Sequence, residues 1–160
     1  MTLLDRLLGH DAWTTRQLLL LGRDLTDDQL DRDLGLALGS VRATFLHVIR
    51  NMEAWSDLMA GRPIRARGGR SIPELIARLD EAAADLAAVS RSVADRNGWD
   101  ERWTDPAETP PVARSYGGTI AHVITHSMHH RAQLILMLKR LGVAPLPEGD
   151  VLSWEQEESS

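Results

Sequence analysis

The sequence predicts an all-α protein, a four-helix bundle, and three observations carry that expectation. Four long segments repeat their apolar residues at helical spacing. No run alternates convincingly with the two-residue period of a strand. Helix start and stop signals separate the four segments cleanly. At 160 residues the chain is long enough to bury one sizeable core.

The first helix opens on Thr2 with Asp5, a cap and a first-turn acid. Its stripe of Leu3, Leu4, Leu7, Leu8, Trp13, Leu18 and Leu21 reaches about Arg23. Leu25–Gly39 is a connection, in which Thr26-Asp27-Asp28-Gln29 opens a short helical turn, and it is long enough to permit a crossover. Ser40 caps a second helix over Val41–Ala60, stopped by Gly61 and Pro63. Its core stripe is Val41, Phe45, Val48, Met52, Trp55 and Met59, with His47 beside it near Thr44 and Asn51. Gly61–Arg70 carries four arginines and reads as a solvated turn, with an anion-binding rim as the alternative.

Ser71 to Glu74 is a capping box with Pro73 in the first turn. The third helix, Pro73–Arg96, turns Leu75, Leu79, Leu86 and Val89 inward and stops at Asn97-Gly98. A long connection, Trp99–Gly117, follows, and Trp99 and Trp103 in it read as packing residues. The fourth helix, Thr119–Arg140, ends at Gly142. Residues 1–145 are expected to form the bundle and residues 146–160 an acidic tail, of which only Trp154 suggests docking.

Composition narrows the function. A net charge of −5 argues against a general electrostatic grip on nucleic acid. With no cysteine, a metal must be held by His, Asp or Glu, and a reacting thiol must arrive with a substrate. No stretch approaches a membrane span, and the N-terminus lacks the basic start and cleavage site of a signal peptide, so the expected location is cytoplasmic.

The fourth helix concentrates the chemistry, holding four of the six histidines. His126 and His130, four residues apart, form a vertical pair able to grip one metal ion. His122 lies one turn earlier but drifts round the helix by roughly 80° relative to His130. His129 points elsewhere. A third ligand must cross the core: His47 is the candidate on the second helix, and His10, beside Asp11, is a weaker one. Three imidazoles would leave coordination positions open, the pattern of a catalytic site. The bland alternative is a set of hydrogen-bonded or solvated histidines. The H-E-x-x-H of zinc proteases and the E-x-x-H pairs of di-iron bundles are both absent.

The chain resembles the DinB superfamily, which includes YfiT-like hydrolases and thiol-dependent S-transferases and isomerases. The resemblance runs from His10-Asp11-Ala12-Trp13 through Gly39 to His47 and Glu53-Ala54-Trp55. Its most specific part is His122 to Gln133, HVITHSMHHRAQ, where Ala132 replaces the usual glycine. It implies a bundle with a divalent ion (zinc, nickel or iron) on His47, His126 and His130, and often a homodimer. His122, Asn51 and Trp55 are expected to line the pocket or support the ligands. The activity so implied is a metal-dependent S-transferase acting with a small-molecule substrate and a low-molecular-weight thiol such as bacillithiol or mycothiol. The alternatives are a hydrolase using metal-bound hydroxide and a non-catalytic metal-binding stress-response protein.

Overall fold

The computed structural model describes residues 1–36 and 38–158. The four long helices are α1 (Leu3–Leu21), α3 (Val41–Met59), α4 (Ile72–Asp95) and α5 (Tyr116–Arg140). A short α2 (Asp27–Leu30) follows a 3-10 turn at Gly22–Asp24, and α6 (Val151–Glu158) lies in the tail. The expected bundle is present, and the short turn predicted at Thr26 is α2, capped reciprocally by Thr26 and Gln29. No helix among the described residues is long and apolar enough to cross a membrane.

Helix α1 packs against α4 and α5, and α3 packs against the same two. The first two long helices therefore stand diagonally, and the segment between them crosses the end of the bundle. Arg42 fastens that crossing: it is buried and paired with Asp27 and Asp31, at 2.8 Å for Asp31. The core is filled from all four helices by residues such as Leu18, Leu19, Phe45, Ile49, Leu75, Leu79, Leu134 and Leu138. Burying each of these stabilises the fold by about 1.5–3 kcal/mol against the entropy of ordering the chain.

Three expectations are corrected. The connection Trp99–Gly117 contains an antiparallel hairpin, β1 (Arg102–Asp105) and β2 (Val112–Ser115), with Trp103 opposite Arg114. Four-residue strands leave too little alternation to read. Helix α5 starts at Tyr116, because Ser115 accepts from the Gly118 N–H as a cap. Gly117 is needed there, since a Cβ would lie 3.0 Å from the Trp99 carbonyl oxygen. On α1, Leu3 and Leu7 are exposed, whereas His10, Asp11, Thr14 and Thr15 are buried.

Two of those polar residues, Asp11 and His10, have partners beyond α1, while Thr15 bonds back to the Asp11 carbonyl. Asp11 forms a fully buried ion pair with Arg131 of α5. His10 Nε2 lies 2.9 Å from the Gly149 carbonyl, so this histidine is tied to the tail. Trp154 of α6 is buried over Gly9, where a Cβ would come within 2.6 Å of its ring, and Arg6 reaches Glu155. The tail from Gly149 to Glu155 thus covers α1. Ser159 and Ser160 lie outside the described residues.

Candidate metal centre

Packing of α3 on α5 brings His47 across to the pair on α5. One ligand atom from each of His47, His126 and His130 lies within 4.8 Å of the others. His126 Nε2 is 3.3 Å from both His47 Nε2 and His130 Nε2. Ligands at tetrahedral corners, about 2.0–2.1 Å from zinc, stand about 3.3–3.4 Å apart. The nitrogen spacing therefore suits one small divalent ion, and among the described residues no carboxylate joins the group.

Neighbouring amides aim the rings. His130 Nδ1 is 2.7 Å from Gln133 Oε1 and donates to it, which leaves the Nε2 lone pair facing the centre. Gln133 in turn reaches His129 through its amide nitrogen. Asn51 Nδ2 lies 2.8 Å from His126 Nδ1, while Asn51 Oδ1 is buried without a hydrogen bond. Turning that amide over lets Oδ1 accept from Nδ1–H and frees His126 Nε2 for a ligand role. One movement would thus resolve the orphaned oxygen and set the metal-binding tautomer.

Electrostatics favours the neutral rings that a metal requires. Partial burial, followed by the neighbouring imidazoles, pulls His126 down to about 4. His47 is lowered too, first by burial and then by His130. Close histidines with no acid among them disfavour one another's charged forms.

The structure brings five of the six expected site residues together around His126 by direct ring or hydrogen-bond contact. Beyond the three histidines, Asn51 touches His126, and the exposed His122 ring lies 5.2 Å from that of His126. Trp55 stacks edge-on with His122 at 5.8 Å, so the sixth residue joins through it. His129 is exposed, as its position on the helix implied. Trp103 packs on Trp55 and donates its Nε1–H to Thr119, in keeping with a packing role.

Two cavities meet at His47. One, of about 350 Å³, is lined by Asn51, Trp55, Leu58, Ile64 and His122, with Asp105 and Glu108 from the hairpin. The other, of about 510 Å³, lies against Leu46 and is ringed by Arg50, Arg67, Arg70 and Arg78. His47 and Arg50 belong to both walls. Sequence reasoning missed Gln133, Arg50 and the hairpin acids. Gln133 was within reach, standing three residues after His130 on the same face.

No curated protein matches the chain in sequence. The model of the DinB family matches residues 1–158, which takes in all four long helices and the histidine group. With that match spanning nearly the whole chain, the protein belongs to the DinB family.

Proposed function

We propose that the protein is a metal-dependent S-transferase that joins the thiol of a small cosubstrate to a second small molecule. The observation that carries this reading is the position of His47 on the wall between two cavities. A hydrolase needs room for one substrate and water, whereas a conjugation needs two organic molecules to meet. The lack of any cysteine agrees, because the thiol then comes from outside.

His47, His126 and His130 would hold a divalent ion such as zinc, nickel or iron. When bound, such an ion supplies positive charge that lowers the pKa of a thiol or water beside it. The chain supplies the rest. Gln133 holds the His130 imidazole in the required tautomer, and Asn51, with its amide turned over, would do the same for His126. His122, exposed at the cavity mouth, accepts the thiol proton or passes it to solvent. Trp55, Leu58 and Ile64 offer an apolar wall to the electrophile. The sulfur forms a bond to the electrophilic carbon, and the leaving group departs with the electron pair of the bond that breaks.

The test compares thiol conjugation and ester hydrolysis in metal-free, metal-reloaded and His130→Ala protein. Conjugation that needs both metal and thiol is expected. Ester turnover without thiol would replace the transferase by a hydrolase working at the same histidines. Metal that raises the melting temperature, with neither reaction detected, would leave a metal-binding protein without catalysis.

A further inference from the structure

We propose that the arginine-ringed cavity beside His47 binds an anionic arm, a carboxylate or phosphate, of the small molecule whose reactive end lies at the histidines. This rests on the metal-centre reading above and adds the substrate class to it. The argument begins with the loop Gly61–Arg70, whose four arginines fall into two pairs. Arg62 and Arg65 are tied to Asp57 and Asp85, with Arg65 Nε at 2.8 Å from Asp57. Arg67 and Arg70 line the cavity, and their guanidinium groups have no ion pair or hydrogen bond among the described residues.

The loop is built to hold them there. Three of its carbonyls, on Arg65, Gly69 and Arg70, accept from Arg50, Arg78 and Arg42 of the helices at 2.7, 2.8 and 3.0 Å. Gly68 lies so close to Arg78 that a Cβ would meet its side chain at 2.8 Å. The loop backbone is therefore clamped along its length, and Arg67 and Arg70 extend from a fixed frame.

Nearby acids are already engaged. Glu53 is buried and takes Arg78 through both oxygens, at 2.8 and 3.0 Å, with Arg50 at 3.5 Å. Glu74 accepts from the backbone N–H groups of Arg70 and Ser71. Among the described residues no carboxylate lines the cavity, so its charge is strongly positive. A concave surface of one sign focuses the field and concentrates small anions. Its volume of about 510 Å³ suits a small ligand, and Leu46 offers contact to a carbon stem. Since His47 is part of its lining, a bound anion would lie next to the metal centre.

The experiment separates the anion site from the metal. Succinate is titrated into the metal-free full chain and into an Arg67→Ala/Arg70→Ala variant, both exposed positions whose loss leaves the clamps intact. Binding is expected to weaken by about tenfold in the variant, the scale of lost charge-assisted hydrogen bonds. In cobalt-loaded protein, mercaptosuccinate should raise a sulfur-to-cobalt absorption band at about tenfold lower concentration than uncharged thioglycerol. The double variant should remove that preference while binding cobalt normally. Succinate binding that is absent, or indifferent to both arginines, overturns the proposal. Arginine-dependent succinate binding without any cobalt uptake supports the anion site and removes the metal reading instead. Arginine-dependent binding of a short DNA duplex, with succinate ignored, would overturn the small-molecule assignment.

Discussion

Adjacent residues of α5 serve two polar clusters of opposite design. His130 turns toward α3 and joins a cluster of imidazoles, one of which, His47, lines two cavities. Arg131 turns toward α1 and closes on Asp11 in a site where both side chains are almost wholly buried. The ion pair leaves no room for a visitor, and its charges answer one another. The histidine group brings one nitrogen from each of three imidazoles within 4.8 Å of the others. Polar groups inside a bundle are costly, so each cluster needs a compensation. One finds it within the chain, and the other is arranged to find it in a ligand.

The sharpest way to break this comparison is Asp11→Ala. It strands a buried guanidinium, and the expected cost is about 3–5 kcal/mol of stability, read by chemical denaturation. Metal bound per folded molecule should not change. His126→Ala should do the reverse: bound metal falls sharply by elemental analysis, while the metal-free protein loses less than about 1 kcal/mol. His129→Ala should retain the metal. Full occupancy in His126→Ala would sink the ligand assignment.

A smaller effect is expected at Asn51. Replacing it with Ala removes the partner of His126 Nδ1 and should weaken metal binding by about 10–100-fold in a competition titration with a chelator. Unchanged affinity would show that the amide does not set the tautomer.

The smallest effect is in the acid response, where the clusters should differ in sign. His126 is lowered to about 4, so between about 6.5 and 4 the unfolded chain takes up protons that the folded chain refuses. Metal-free protein should lose stability from this group as pH falls through that window, and His126→Ala should flatten the loss. Burial raises Asp11 to about 6 against the opposing pull of Arg131. Between about 6 and 3.8 the folded chain holds the extra proton, so this group's contribution rises as pH falls. Denaturation series at several pH values, with Asp11→Asn as the partner variant, would separate the two slopes.

Legibility in the sequence followed locality. The pair His126 and His130 is four residues apart on one helix, so spacing alone places both on one face. His47 could be named because few other residues on the second helix could reach across. The Asp11–Arg131 pair spans 120 positions, and no periodicity announces which arginine meets which acid. The hairpin escaped because its strands are four residues each, too short for an alternation of buried and exposed residues to be read. The Gly61–Arg70 loop had two readings, and the structure divides them: Arg62 and Arg65 are tied to acids, while Arg67 and Arg70 are not. Neighbouring arginines look alike in sequence, and only the location of Asp57 and Asp85 distinguishes them.

The docking of the tail on α1 has a consequence for the order of assembly. Helical bundles made from nearby contacts assemble quickly, because little chain must be brought together for each one. Here Gly149 reaches His10 across 139 positions and Glu155 reaches Arg6 across 149. The first helix can form early, yet part of its cover arrives only when almost the whole chain has been drawn in. That closure is small enough to open without the bundle, so amides in α6 should exchange with solvent well before those of α5. Gly9, the seat of Trp154, then acts as the latch: enlarging it to Val should hasten exchange in α6 and leave the histidine group undisturbed.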